Sequence, residues 1–416
     1  MNIYLEVFGC TANKSDASLV KGILKENNHN IIDNISNADT LVILTCTVIG
    51  TTEQRMLSRL RAFKKTGKTV IVTGCMASVQ ADLVRTILPD AELLPPQYSH
   101  HISKLVEGRK VKFTEEKKNK FIKHYENVIA PISIAEGCMF SCSYCITSLA
   151  RGKLRSYPIN EISQDICLAI KQGCKEIQLT AQDTSSYGLD CNQNLGNLLK
   201  NISKINGEYR VRIGMMNPYT CYMNLDLIIQ GYEDPRIYKF LHLPLQSGDN
   251  EILRKMDRKY TIDEFLSIIK KFRKNYPEIT ISTDVIVGFP TETDEQFQKT
   301  IELIKSVKPD ITNITRYSAR PYTKAKSMKG RIKTEIAKER SRILTKLCNK
   351  ISKHNNLKHV GKKFNILITE KGKNNTYVGR TEYYKPVVIK QNIKIGDIIP
   401  VEVIESAPTY LVGSII

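Results

Sequence analysis

Three things are missing from this sequence. It has no acidic surplus, no apolar run long enough to span a membrane, and no fourth cysteine or histidine beside its densest cysteine group. Without a spanning segment or a secretory leader pattern, the expected setting is the reducing cytoplasm, with no membrane association. The chain has eleven cysteines, and in such a setting cysteines usually serve as metal ligands or catalytic groups, with no disulfide framework needed. Asp and Glu number 42 against 62 Lys and Arg, which leaves a net charge of +20. That imbalance points to a polyanionic partner, above all nucleic acid, because phosphate neutralisation supplies most of that affinity. General amino-acid usage would spread the surplus along the chain. Instead, residues 317–416 hold 21 Lys and Arg against 7 Asp and Glu, as an appended binding module would.

The densest cysteine group is Cys138, Cys142 and Cys145, spaced C-x3-C-x2-C and followed by Arg151-Gly152. Clustered thiolates select iron-sulfur clusters, zinc or copper. A structural zinc site closes with four ligands, and only three stand here. A 4Fe-4S cluster held by three thiolates keeps one iron open for a ligand. The alternative is three buried structural cysteines.

A chain of 416 residues divides into two or three domains. Residues 2–9 alternate like a strand and run into Gly9-Cys10; Leu41–Thr45 is an apolar run ending on Cys46; Thr69–Gly74 ends on Cys75. Helical patterns at 15–27, 52–65 and 77–88 make this a parallel α/β layout, in which ligands sit beyond the carboxyl ends of the strands. Cys10, Cys46 and Cys75 all fall on that edge. Singly each would be a small buried hydrophobe, but together they form a second three-cysteine site. Residues 95–128 are polar and poor in apolar residues, and read as a linker or an extended crossover.

From residue 129 the alternation becomes longer. Strands are expected at 129–135, 175–180, 210–215, 239–245, 279–287 and 310–316, with helices between them, such as 160–171, 251–258 and 294–305. Six β-α units make a closed barrel or an open part-barrel, with the chemistry at its carboxyl-end mouth. The segments after the strands are polar and glycine-rich: Thr180–Thr184 with Gln182, Met216–Pro218, His242–Gly248 with Gln246, Thr283–Thr293, and Tyr317–Arg320. Such a rim suits a nucleoside-bearing cofactor. Arg316 and Arg320 are candidates to contact a carboxylate or phosphate, which the guanidinium fork fits. A basic helix is expected over 334–354. Five short strands follow, at 364–369, 376–381, 385–390, 398–405 and 410–415, and read as an OB-like barrel that binds nucleic acid or merely packs on its neighbour. Cys167, Cys174, Cys191, Cys221 and Cys348 are assigned to packing or surface.

With Cys10, Cys46 and Cys75 ahead of Cys138, Cys142 and Cys145, a middle barrel and a basic β-barrel at the end, the chain resembles the radical-SAM methylthiotransferases over essentially its full length. Supporting phrases are Gly9-Cys10 with Asn13 and Asp16, Thr45–Val48, Gly74–Ala77, Gln182-Asp183-Thr184 to Tyr187-Gly188, His242–Gly248, Met256–Thr261 and Asp284–Thr293. The resemblance implies an α/β multidomain fold: a parallel α/β sheet domain over 1–95, a linker over 96–128, a radical-SAM (βα)6 partial barrel over 129–330, a basic helix over 331–355 and a TRAM β-barrel over 356–416.

It also implies two 4Fe-4S clusters. The one on Cys138, Cys142 and Cys145 would cleave S-adenosylmethionine to a 5′-deoxyadenosyl radical, with Tyr144 near the adenine and the Gly288-Phe289-Pro290 rim, Gln182, Gln246 and Arg320 about the cofactor. The one on Cys10, Cys46 and Cys75 would carry a sulfur that a second S-adenosylmethionine methylates before insertion. No catalytic residue is assigned beyond the cluster ligands. The basic C-terminal quarter and the phrase Cys10–Lys14 look like the archaeal and eukaryotic branch acting on threonylcarbamoyladenosine at tRNA position 37, in the anticodon loop. Isopentenyladenosine in tRNA or a ribosomal-protein aspartate are the family's other substrates, and Gln182-Asp183-Thr184 also occurs in the protein-modifying branch. Outside enzymology, the alternative is an RNA-binding protein with structural clusters. The implied partners are tRNA and an electron donor such as ferredoxin or flavodoxin; the chain is expected to be monomeric.

Overall fold

The structure is a computed structural model that describes residues 1–416 with the exception of Ile49. Five parallel strands open the chain: β1 (Asn2–Val7), β2 (Asn30–Ile32), β3 (Thr40–Thr45), β4 (Thr69–Gly74) and β5 (Glu92–Leu94), in the order β2-β1-β3-β4-β5. Every residue of β3 is buried because it feeds two cores. Leu41 and Ile43 pack with Met56, Leu57 and Leu60 of α2 (Gly50–Lys64). Val42 and Leu44 pack with Leu19, Val20 and Ile23 of α1 (Thr11–Glu26). A strand covered on both faces reads as a continuous apolar run, which TLVILT does. The order reverses between β1 and β3, so the crevice where such sheets bind ligands opens at those two strands' carboxyl ends. Cys10 follows β1 and Cys46 follows β3.

The single helix expected over 77–88 is two, α3 (Cys75–Val79) and α4 (Ala81–Ile87), broken at Gln80. The break frees the Gln80 side chain to donate to Glu53 Oε2 at 2.7 Å and to meet the Thr47 hydroxyl. The stretch 96–128, read from sequence as a linker or crossover, carries 3-10 turns at Pro96–His101 and Lys118–Lys120 and a short helix, α5 (Ile102–Val106). It is packed rather than extended, because Lys118 and Lys123 are buried against carboxylates on both sides: Asp16 and Glu136 for Lys118, Asp165 for Lys123.

The middle of the chain contributes β6 (Ile129–Ser133), a small antiparallel ribbon of β7 (Ala135–Glu136) and β8 (Arg155–Ser156), then β9 (Glu176–Thr180), β10 (Arg210–Ile213), β11 (Phe240–His242), β12 (Thr280–Val287) and β13 (Ile311–Arg316). Six of these run in sequence order as two three-stranded parallel sheets, β6-β9-β10 and β11-β12-β13, bridged where Val211 pairs with Ile237. The result is an open arc. Amphipathic helices such as Ile159–Lys171 and Ile262–Asn275 bury one stripe each against it, the latter through Phe265, Ile268, Ile269 and Phe272.

The helix Thr334–Leu357 leads to a closed antiparallel barrel of β14 (Lys363–Lys371), β15 (Tyr377–Arg380), β16 (Pro386–Ile389), β17 (Ile398–Ser406) and β18 (Leu411–Ile415), in which only β16 and β18 pair in parallel. Bulges at Ile368/Glu370 and Val403/Glu405 bend its two nine-residue strands enough to close it. Its β15–β16 turn sends Tyr384 against the amino ends of the arc, 5.0 Å from the Phe240 ring and 4.9 Å from that of Tyr238.

Candidate active site

The three strand-end cysteines of the first domain are held close by their turns. Gly9 has φ +107°, and a Cβ there would lie 2.7 Å from Asn13 Nδ2 and 2.9 Å from the Cys46 Cβ. Only glycine lets β1 turn so tightly against the Cys46 loop. The same Asn13 amide donates to Phe8 O and Thr45 O, both at 2.7 Å, and so ties the Cys10 and Cys46 loops together. The Thr45 hydroxyl donates to Thr73 O at 2.6 Å and accepts from Met76 N at 3.2 Å, which adds the Cys75 turn.

The other three cysteines lie between β7 and α6 (Thr147–Arg151). Their loop is pinned by backbone bonds from Cys138 N to Gly152 O, 3.1 Å, and from Ser143 N to Met256 O, 3.0 Å. The Arg258 guanidinium, brought in by the Met256–Thr261 turn, donates to Cys142 Sγ at 3.4 Å and to Asn217 Oδ1 at 3.2 Å while lying over the Tyr260 ring.

All six cysteines line one cavity of 390 Å³, together with Tyr144, Gln182, Gln246, Arg151, Arg212, His242 and Arg258. Tyr144, Gln246, Cys145, Thr147 and Val48 also border a second cavity of 220 Å³, whose far wall is Asp284–Ile286 and Thr315–Ser318 with Arg320. Two spaces sharing one wall can hold a cofactor beside a substrate. Burial raises the thiols, to about 11 for Cys75 and about 12 for Cys138. The neighbouring Arg151 and Arg258 charges oppose that rise at Cys75 and Cys142, respectively.

Behind the cysteines lies a buried ion network. Arg151 donates to Asn13 Oδ1 and Asp16 Oδ2, both at 2.7 Å, and to Glu136 at 3.2 Å; Lys118 bonds Asp16 and Glu136, both at 2.7 Å. Those charged side chains are 2–6 % exposed. Opposite, His242 Nε2 lies 2.9 Å from Asp284 Oδ2, and Asn313 donates to the other oxygen at 2.8 Å. Burial alone would raise Asp284; the His242 and Asn313 bonds bring it below the usual carboxylate range. Asp183 is raised by burial, although Asn217 N, Thr220 Oγ1 and Ser185 all donate to it.

Among the residues singled out for a cofactor, Tyr144, Gln182 and Gln246 line the main cavity, and the Gln182 Oε1 is buried without a partner. Gly288, Phe289 and Pro290 do not line it. Phe289 is fully buried behind Tyr144 with Ile252, Met256 and Ala325, and Gly288 turns its backbone N–H to Glu292 Oε2 at 2.8 Å, under the Ala337 helix. That rim backs the Tyr144 wall of the cavity from behind. Arg320 borders the smaller cavity, yet its guanidinium is spent on Glu53 of α2 and reaches the Thr47 hydroxyl at 3.5 Å. It clasps the first domain to the arc. Arg316 is exposed on the rim of the same cavity. Cys174, Cys221 and Cys348 are buried, and Cys167 and Cys191 are exposed.

Sequence reading missed Arg212 and did not give roles to Arg151 and Arg258. Their signal was weak: Arg151 directly precedes the glycine after the cysteine group, and Arg258 sits in the Met256–Thr261 turn, more than 100 residues along the chain from Cys145.

Among the described residues, no group of three or more His, Cys, Asp and Glu is arranged to hold a single metal ion. Six cysteine sulfurs, with Asp183 as the carboxylate of the same lining, face one space, a soft donor set of the kind that iron-sulfur clusters take.

Family models match three stretches: the Radical SAM superfamily over residues 132–304, an uncharacterized protein family, UPF0004, over 2–94, and the TRAM domain over 357–416. An Archaeoglobus fulgidus protein named "Probable threonylcarbamoyladenosine tRNA methylthiotransferase" is 40% identical, covering 100% of this chain and 99% of its own length. The human "Threonylcarbamoyladenosine tRNA methylthiotransferase" is 30% identical over 99% of this chain and 73% of its own length. A Thermodesulfovibrio yellowstonii "tRNA-2-methylthio-N(6)-dimethylallyladenosine synthase" is 33% identical over 100% and 98%. In fold, the chain is similar to the radical S-adenosylmethionine methyltransferase TsrM of Kitasatospora setae, with TM-score 0.58 and 12% identity over 78% of this chain and 77% of that one. Full-length identity at this level, on a cavity that gathers six cysteines from two domains, places the chain in the radical-SAM methylthiotransferase family, as a transferase.

Proposed function

We propose that this protein methylthiolates threonylcarbamoyladenosine at position 37 of tRNA. The observation that carries the reading is the convergence of Cys10, Cys46 and Cys75 with Cys138, Cys142 and Cys145 on a single cavity. The substrate is carried by the relatives at 40% identity, all named for threonylcarbamoyladenosine, against 33% for a relative named for dimethylallyladenosine.

In this reading each cysteine triad holds one 4Fe-4S cluster through three thiolates. When bound, the clusters and S-adenosylmethionine supply reductive cofactor cleavage, radical C–H activation, the inserted sulfur and its methyl group. The chain's own residues do the rest. Tyr144 and Gln246 form the wall between the two cavities and set the cofactor against the substrate space. Gln182 offers its free carbonyl oxygen to a bound donor. Arg258 steadies the Cys142 thiolate, and Arg151 does the same for the side that carries Cys75. The basic C-terminal barrel grips the RNA backbone, and the target base, unpaired in its loop, is splayed into the cavity without melting a duplex.

Mass spectrometry of nucleosides from total tRNA, with and without the gene, tests this. Loss of the methylthio nucleoside with accumulation of the threonylcarbamoyl precursor supports it. If tRNA is unchanged, the reading fails and ribosomal proteins are the next place to look for a missing methylthio group.

A further inference from the structure

Three arginines line the main cavity, and two are spoken for. Arg151 sits in its carboxylate network, and Arg258 donates to Cys142 and Asn217. Among the described residues the Arg212 side chain forms neither a hydrogen bond nor an ion pair, and its Nε, like those of Arg151 and Arg258, is buried without a partner. What holds it is a pair of aromatic rings: its guanidinium carbon lies 5.2 Å from the centroid of Phe240 and 5.2 Å from that of Tyr384. The carboxylate at hand, Glu176, is occupied. It accepts from Gln178 Nε2 at 2.7 Å and meets the hydroxyls of Tyr384 and Tyr238, both at 3.2 Å. Stacking fixes the plane of a guanidinium and leaves its N–H fork free to bond an oxyanion.

Tyr384 belongs to the C-terminal barrel, whereas Arg212 is on β10 of the arc. The RNA-binding domain therefore supplies one side of the clamp that aims a cavity cation.

We propose that Arg212 is a substrate-binding residue that takes an oxyanion of the RNA, and that Tyr384 positions it from the C-terminal domain. Two groups on the RNA share that chemistry: the carboxylate of the threonylcarbamoyl arm and the phosphate beside the splayed nucleotide. The first source rests on the proposed function; the second does not.

The test uses cluster-loaded full-length enzyme and anticodon stem-loop RNAs that carry threonylcarbamoyladenosine, isopentenyladenosine or plain adenosine at the target position. Affinity, KM and kcat are measured for wild type, Arg212→Gln, Arg212→Lys, Tyr384→Ala, Tyr384→Phe and the double variant Arg212→Gln/Tyr384→Ala. Arg212→Gln is expected to weaken binding on the order of 10- to 100-fold through KM, as losing a charge-assisted bond does. Arg212→Lys recovers part of that loss, and Tyr384→Phe recovers most of what Tyr384→Ala loses. The double variant loses no more than Arg212→Gln alone, because both act through one contact. A loss confined to threonylcarbamoyl RNA identifies the carboxylate; an equal loss on all three RNAs identifies the phosphate. Unchanged RNA affinity and KM in Arg212→Gln overturn the proposal, as does a defect in RNA-free cofactor cleavage with RNA binding intact, which would assign Arg212 to the cofactor. If wild-type enzyme binds all three RNAs but methylthiolates none, the proposed function fails while the binding arms still decide Arg212.

Discussion

Arg258 places one guanidinium nitrogen 3.4 Å from the Cys142 sulfur and the other 3.2 Å from the Asn217 side-chain oxygen, so that one residue braces the cysteine loop against the turn after β10. Groups that donate to ligand sulfurs tune affinity and potential. Arg258→Met is therefore expected to cost about 10- to 100-fold in cofactor cleavage or cluster affinity. Iron content and the cleavage rate of reconstituted enzyme check it; wild-type values for both would remove Arg258 from this role.

In the proposed function the two cysteine triads serve different steps, which substitution should separate. Replacing Cys46 by Ala is expected to abolish methylthiolation and lower iron by about half, while S-adenosylmethionine cleavage continues. Replacing Cys142 by Ala stops cleavage as well. An enzyme of different output, such as a plain methylase, would keep forming product without Cys46.

Removing one member of the buried ion network unbalances its charge. Lys118→Met leaves Asp16 and Glu136 to share Arg151 as their buried cation, one negative charge in excess, at a cost of about 3–5 kcal/mol. Urea unfolding of the variant against wild type measures it, and a change under 1 kcal/mol would show that water or rearrangement takes the place of Lys118.

His100 and His359 set an acid limit. Burial lowers both to about 4; the His101 charge adds to this for His100, and the Lys385 and Lys362 charges for His359. The native state thus prefers neutral rings whose ordinary value is 6.5. Their contribution is complete above pH 6.5 and is lost as pH falls towards 4, on the order of 2 kcal/mol for each ring. Stability measured from pH 7 to 4 should fall less steeply in His100→Phe than in wild type. Parallel curves would count against the ring.

Much of this molecule is legible in its sequence where the signal is local. The six strands of the arc and the five of the C-terminal barrel appear as apolar alternation or runs bounded by turn residues. The convergence of Cys10, Cys46 and Cys75 follows from their shared place after parallel strands. β2 and β5 escape because three residues carry too little periodicity to stand out. The packing of 96–128 escapes for another reason: buried lysines look like solvated ones until their carboxylates, up to 102 residues away, are in place. The same holds for Arg320, whose partner Glu53 is 267 residues distant, and for Arg212, whose clamp is completed from another domain. The Gly288-Phe289-Pro290 rim shows the converse, a phrase in the right neighbourhood whose side chains support the cavity from behind.

The quartet of Asp16, Lys118, Glu136 and Arg151 also constrains how such a chain can be recombined. The first domain contributes Asp16, the connecting stretch Lys118, and the arc Glu136 and Arg151, so a cut ahead of Lys118 leaves Asp16 without its cations, whereas a cut between Lys118 and Glu136 leaves each side neutral. A first domain exchanged with that of a relative must bring its connecting stretch along and find a matching pair of charges on the arc. Inheritance of the two cysteine triads is thereby linked, since the contacts that dock one domain on the other lie directly behind the space the triads share.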